Sequence, residues 1–279
     1  MKRIGRLLIV SLSLALGLAC TTPSSTSTSS EALKAASVGP HRSPQNIARN
    51  KYRHPVETLE FFGLEEDMTV LEALPGGLWY GEIIAPFVRD QGEYIAAVYD
   101  VSLPGRPDYQ IRQVEVMETR FAGEPEVFGT PRVATLSPPD SIDLGEPGSV
   151  DIVLTFRNLH GWVRDGVEDE VLAAFFEVLK PGGVLGIVQH RAGPRSDPDP
   201  DAFIGYLAED RVISMAEAAG FVLEARSEIN ANPDDTADHP RGVWTLPPSF
   251  ALGEKDRAKY AAIGESDRMT LRFRKPADA

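Results

Sequence analysis

Apolar residues along this chain fall into two rhythms, and the rhythms alternate. Short runs with little polar interruption read as strands: Thr69–Glu72, Glu93–Tyr99, Arg132–Leu136, Val150–Phe156 and Val184–Gln189. Val150–Phe156 is apolar enough for a strand buried on both faces. Between these runs, apolar positions recur at spacings of three and four, which predicts helices. Val56, Leu59 and Phe62 give a face to a helical N-terminal region, Ser43–Phe62, in which Pro55 marks a break or restart. Trp79–Val88 is a short packed helix. Arg106–Phe121 carries Ile111, Val114 and Met117, and Val167–Leu179 carries Val171, Leu172, Phe175 and Phe176. Lys180-Pro181-Gly182-Gly183 stops that last helix, because proline and glycine both block continuation. Arg211–Ala219 is a helix ended by Gly220. Phe221–Ile229 and the alternating Arg268–Arg274 close the chain as strands. Strands alternating with helices imply an α/β fold with a doubly wound, mostly parallel sheet. Asn230–Ser249, rich in Asp, Pro and Asn, interrupts the last two strands, and insertions of this kind often act as lids.

Within this pattern, residues 69–100 have the order of a nucleotide-binding half-unit. A strand ends on Glu72, Pro75-Gly76-Gly77 turns, a helix follows, and the next strand ends on Asp100. Gly76 and Gly77 let backbone approach a ligand without a Cβ in the way. Asp100 is placed to accept hydrogen bonds from two ribose hydroxyls. Neither G-x-G-x-x-G nor G-x-x-x-x-G-K-[ST] occurs, and Glu72 before the turn repels a pyrophosphate. A ligand with positive charge and no phosphate suits the site better, and S-adenosylmethionine is such a molecule.

Charge and the N-terminus narrow the setting. A net charge of −13 argues against a broad nucleic-acid footprint. Lys2, Arg3 and Arg6 precede an apolar stretch, Leu7–Leu18, too short to favour a spanning helix. The stretch ends at Ala19-Cys20, and Cys20 is the only cysteine. Residues 1–20 therefore read as an export signal. Its end at a cysteine resembles a bacterial lipoprotein signal, which implies that Cys20 is lipidated and the protein anchored on the periplasmic side of a bacterial membrane; an ordinary signal peptide with a chance cysteine is the alternative. Residues 21–42, with the low-complexity run Thr21–Ser30, read as a flexible tether, and 43–279 as the folded domain.

Of five histidines, His160 and His190 follow strands and His239 lies in the insertion. Ligand crevices of open α/β sheets lie beyond strand ends. The three are thus candidates for acid–base work on an acceptor, with Arg157 and Asn158 to orient it. No His-x-x-x-His or paired carboxylate–histidine spacing points to a metal.

From Thr69 to about Pro276 the chain resembles class I S-adenosylmethionine-dependent methyltransferases. Val70-Leu71-Glu72 with Pro75-Gly76-Gly77 is similar to their first motif, and Asp100 falls where their ribose-binding acid falls. Asp151–Phe156 resembles the fourth-strand motif, and Leu179–Leu185 the turn after the following helix. Tyr52-Arg53-His54-Pro55, Arg157-Asn158-Leu159-His160, Asp238-His239-Pro240 and Gly242–Pro248 look like a bacterial group of exported predicted methyltransferases. The resemblance implies a seven-stranded Rossmann-like sheet with an antiparallel C-terminal hairpin. It also implies S-adenosylmethionine as cofactor, held by Glu72, Pro75, Gly76, Gly77, Asp100 and Ser137, and a small-molecule methyl acceptor. Two departures stand out. The three alternating glycines of the first motif read Leu74, Gly76, Leu78, so Leu78 is expected to crowd the methionine end of the cofactor. The usual Gly-Asp after the third strand is Leu136-Ser137-Pro138-Pro139. The export signal opens a second reading, because S-adenosylmethionine is a cytosolic metabolite. In that reading an envelope lipoprotein has repurposed the fold for another small ligand. A metal-assisted hydrolase built on the histidines is a third.

Overall fold

The computed structural model describes residues 25–193 and 202–279. Residues 1–20 and Cys20, read as the export signal and its lipidation site, lie outside the described residues. Among the described residues eight strands form one sheet. They are β1 (Thr69–Ala73), β2 (Glu93–Val98), β3 (Arg132–Ser137), β4 (Ser141–Asp143), β5 (Val150–Phe156), β6 (Leu179–His190), β7 (Val222–Ser227) and β8 (Arg268–Arg274). Their spatial order is β4-β3-β2-β1-β5-β6-β8-β7. β3, β2, β1, β5 and β6 are parallel, and β8 pairs antiparallel with both β6 and β7. This is the doubly wound sheet that the pattern predicts, with the closing hairpin that the resemblance implies. The count is eight rather than seven, because β4 adds an antiparallel edge to β3. Ser141-Ile142-Asp143 is too short for a period-two signal.

From β1 the chain winds outward through β2 and β3, then returns to β5 on the other side of β1. The loops after β1 and β5 therefore diverge, and such a switch point opens a crevice at the carboxyl edge. The strands bury both faces. Val70, Ile152 and Leu154 pack with Leu59, Phe62, Ile83 and Ile84 on one side. Leu71, Val153 and Leu185 pack with Val171, Phe175 and Val212 on the other.

Helix Glu168–Val178 ends where predicted, but the strand begins at once at Leu179. Val150 pairs with Leu179 and Ile152 with Val184, so Lys180–Gly183 bulges out of β6 rather than preceding it. Gly182, at φ 77°, gives the bulge its left-handed residue.

The tether expectation for residues 21–42 does not hold over its described part. Ser25–Ser37 is a helix that packs against the helix Gly81–Val88. Leu33 is 1 % exposed, and Ala32 and Ala36 pack on the same core. Arg42 is buried, and its Nε donates to Glu82 Oε2 at 3.2 Å. A Ser/Thr-rich sequence has weak helix propensity, and here burial of one apolar stripe overrides it.

β7 is antiparallel to β8, and β8 to β6, so β7 runs in the direction of β6. The insertion after β7 consequently leaves at the same carboxyl edge as the loops after β1 and β5. It includes the short turn Gly242–Thr245.

Candidate functional site

At that edge lies a cleft of about 400 Å³. Its floor is Glu72 and the turn Leu74–Gly77. Phe156, Arg157, Asn158 and His160 come from the loop after β5, and His190 from the end of β6. Asn46, Arg49 and Arg53 reach it from the N-terminal helical region. Trp244, Pro247, Pro248 and Ser249 cover it from the insertion. A second chamber of about 400 Å³ shares Leu74, Arg157, Asn158, His160 and Trp244, and extends to Tyr99, Ser137 and Pro138.

Glu72 is 2 % exposed, and the Tyr94 hydroxyl donates to its Oε2 at 2.6 Å. Burial raises its pKa to about 7, against the opposing hydrogen bond from Tyr94 and the charge of Arg157. A carboxyl so placed ionises readily only when a cation arrives. Gly76 takes φ 57°, and a Cβ added at Gly77 would meet nothing within 4 Å. The turn thus presents bare backbone to the cleft.

Leu74 and Leu78 stand where the resemblance places glycines. Both keep left-handed backbone, at φ 46° and 61°. Leu78 is fully buried in the core below the turn and does not line the cleft. The expectation that it crowds a cofactor is therefore corrected. Leu74 is the residue that lines the cleft.

Asp100 follows β2, but its Oδ1 accepts from Ser102 N at 3.0 Å and from Ser102 Oγ at 2.6 Å. Those bonds lower its pKa, and it does not line either chamber. Ser137 does line the second chamber, and its Oγ accepts from Asp100 N at 2.7 Å. The two are linked, with Ser137 rather than the Asp100 carboxylate on the wall.

The predicted convergence of three histidines holds for two. His160 and His190 line the cleft with ring centroids 5.7 Å apart. His239 does not. It donates from Nε2 to Asp235 Oδ1 at 2.8 Å, with Tyr206 and the Ala237 and Asp267 amides also donating to that carboxylate. It ties the insertion together instead of serving the site.

Gln189 Nε2 donates to Gly205 O at 3.0 Å, which fixes the amide, and its second hydrogen faces His160 Nδ1 at 3.3 Å. The His160 proton therefore sits on Nε2. Burial pulls its pKa down to about 4, so the ring is neutral near pH 7. His190 is also held well below the usual imidazole range, first by burial and then by His160 and the arginines around it, and its Nδ1 lies 2.5 Å from Ser266 Oγ.

Arg157 stands at φ 67°, held by its N–H donating to Val188 O at 2.7 Å. Burial lowers its pKa to about 10. Asn158 Nδ2 donates to Ala73 O at 2.7 Å, which ties the loop after β5 to the end of β1. Tyr80 stacks on Phe156 with centroids 3.6 Å apart.

Sequence reasoning missed Arg49, Glu265 and Ser266 and gave Arg53 no role. Glu265 accepts from Arg49 Nε at 2.7 Å, Arg53 Nε at 2.8 Å and Arg268 Nη1 at 3.1 Å. Burial alone would raise its pKa, but these arginines hold it at about 2. The available signal was Arg49 and Arg53, four apart in a helical stretch and so on one face. Their partner, 216 residues after Arg49 and 212 after Arg53, leaves no local trace. Among the described residues, no group of three or more His, Cys, Asp or Glu side chains is arranged to hold a metal ion.

The sequence matches no protein-family model and no curated protein. Solved structures do match. A SAM-dependent methyltransferase from Aquifex aeolicus superposes with a TM-score of 0.52 at 18 % identity, covering 88 % of this chain and 98 % of its own. A geranyl diphosphate C-methyltransferase from Streptomyces coelicolor A3(2), solved with Mg2+, geranyl diphosphate and S-adenosyl-L-homocysteine, gives 0.55 at 14 %, covering 86 % and 87 %. The [4+2]-cyclase SpnF gives 0.51 at 18 %, covering 80 % of each chain. The fold is the one solved in S-adenosylmethionine-dependent methyltransferases. The cyclase among these structures is a reminder that a fold does not choose the reaction.

Proposed function

We propose that this chain binds S-adenosylmethionine in the cleft and transfers its methyl group to a small-molecule acceptor. The observation that carries the reading is Glu72: a buried carboxyl with a pKa near 7, beside a bare glycine turn, at the switch point of the sheet. The cofactor's ammonium and sulfonium match that carboxylate, and its sulfonium supplies an already activated methyl group. The chain's own work is then positioning and exclusion of water. The aromatic wall of Trp79, Tyr80 and Phe156 excludes water around the turn. Asn158 fixes the loop after β5 against β1. His160, with its proton on Nε2, donates to the acceptor, and His190 takes the proton the acceptor loses. Ser137 lines the chamber in which the nucleoside end is held.

The test is calorimetry of the purified protein with S-adenosylmethionine and S-adenosylhomocysteine. Binding of both is expected. Binding of neither removes the reading and favours a repurposed fold.

We further propose that residues 1–20 direct export and that Cys20 is lipidated, anchoring the domain to the cell envelope. Support comes from the basic start, the short apolar stretch and the single cysteine at its end. Mass spectrometry of membrane-fraction protein is expected to find a diacylated Cys20 as the first residue. A soluble product that retains residues 1–20 would exclude it.

A further inference from the structure

The charges around the cleft are unevenly placed. The chain carries a net −13, yet the end of the cleft near the start of β8 gathers Arg49, Arg53 and Arg268 around one carboxylate, Glu265. Both Glu265 oxygens are consumed by these arginines. Arg157 adds a further cation, and its guanidinium has no hydrogen bond or ion pair among the described residues. Arg53 is 1 % exposed; its guanidinium lies over the Trp79 ring, and its Nη1 is buried without a hydrogen-bond partner. A guanidinium nitrogen held away from both water and an acceptor is costly, and such a donor is ordinarily satisfied. Glu72 does not answer the cluster at β8: it belongs to β1, three strand spacings away across β5 and β6, or about 14 Å at the usual ~4.8 Å spacing. Arg157, which follows the adjacent β5, is near enough for its charge to lower the Glu72 pKa but forms no ion pair with it.

Arg157 also occupies backbone that a bulky residue adopts only when its surroundings hold it there. The bond to Val188 O and the anchoring of neighbouring Asn158 to Ala73 supply that hold. The strain directs a cation to a wall common to both chambers. The cleft thus has Glu72 toward one end, suited to a cation, and Arg49, Arg53 and Arg268 toward the other, with Arg157 between them and His160 and His190 also on its wall.

We infer that the methyl acceptor is a small oxyanion, a molecule bearing a carboxylate or phosphate group, held by Arg53 and Arg157 with Arg49 beside them. This rests on the cofactor reading above, in which Glu72 and the glycine turn take the cationic methionine end. Arginine is suited to the role because its planar fork presents paired donors to an oxyanion. Glu265 keeps the arginines apart and aimed, so the free protein tolerates them at close quarters.

The experiment uses the whole purified protein and four titrations: S-adenosylhomocysteine, malonate, inorganic phosphate, and sodium chloride at matched ionic strength. Each is followed by calorimetry and by thermal shift. Saturable binding of malonate or phosphate, beyond the chloride control and with S-adenosylhomocysteine already bound, is expected. The better ligand of the two distinguishes a carboxylate acceptor from a phosphorylated one. Arg157→Gln is expected to weaken that anion about tenfold or more, as the loss of a charged hydrogen bond predicts, and to weaken S-adenosylhomocysteine by less than that, through the lost help of its charge in ionising Glu72. Arg49→Gln, at a partly exposed position, is a second variant should Arg157→Gln fail to fold. Three results overturn the inference. One is no anion binding beyond chloride. Another is anion binding unchanged in both variants. The third is anion displaced by S-adenosylhomocysteine with both weakened by the variants, which would make the arginines the seat of the cofactor's own carboxylate. Failure of S-adenosylhomocysteine to bind the wild-type protein is a separate outcome: it removes the cofactor reading, and the acceptor assignment with it.

Discussion

Leu74 and Leu78 share a left-handed backbone and send their side chains to different places. Leu78 enters the core under the turn, while Leu74 lines the cleft. The turn keeps the conformation that glycines would adopt freely, and the two leucines hold it at a cost of roughly 1–2 kcal/mol each. What the chain gains differs at the two positions: core packing at Leu78, and a narrower cleft at Leu74.

Glycine substitutions should therefore act in opposite ways. Leu78→Gly removes a fully buried side chain, and is expected to destabilise the fold by roughly 2–4 kcal/mol after relief of strain, with no tighter cofactor binding. Leu74→Gly relieves strain and opens the cleft, so S-adenosylhomocysteine should bind more tightly. Chemical denaturation and calorimetry of the two variants check both; tighter binding by Leu78→Gly would reverse the assignment.

Cofactor affinity should depend on pH through Glu72. Below about pH 7 its buried carboxyl is protonated in the free protein, and a cationic ligand must first drive the proton off. Affinity for S-adenosylmethionine is expected to rise up to about tenfold per pH unit toward pH 7 and then level. In the ligand-free protein the sign is the opposite. The folded pKa lies above the unfolded one, so stability falls as pH rises from about 4.5 to about 7. Glu72→Gln should flatten both dependences. A binding curve of unchanged pH slope in that variant would take Glu72 out of the site.

The histidines should separate into structural and functional. His239→Ala leaves buried Asp235 short of a donor and should cost about 1–3 kcal/mol in unfolding free energy, without altering affinity for S-adenosylhomocysteine. His160→Ala should lower methyl transfer far more than stability. A His239→Ala protein of full stability but impaired binding would restore His239 to the site.

Removing the N-terminal helix should weaken the whole domain. A chain beginning at Ser43 lacks Leu33 and the Arg42–Glu82 pair. It is expected to melt well below the longer protein, and Leu33→Ala alone should cost about 2–5 kcal/mol. Equal melting temperatures would show that residues 25–42 merely rest on the surface.

What the sequence determined by itself was the order of elements and the identity of the turn. Strand, turn and helix signals are local: period, proline and glycine are read within a few residues, and they located β1, β2, β5 and the closing hairpin. The same locality put Glu72, Gly76, Gly77, Arg157, Asn158, His160 and His190 at strand ends, where they all line the cleft. Tertiary structure decided everything that depends on partners distant along the chain. Ser25–Ser37 is a helix because Leu33 finds a core that no N-terminal segment can display. His239 leaves the site because Asp235 binds its Nε2 and Tyr260 packs edge-on against its ring. Leu78 is buried wholly in the core under the turn, while Leu74 packs partly on the core of the opposite face and partly lines the cleft. Glu265 gathers Arg49, Arg53 and Arg268 because β8 starts at the carboxyl edge, beside the end of β6, and desolvation then makes a charge's partners matter more than its type.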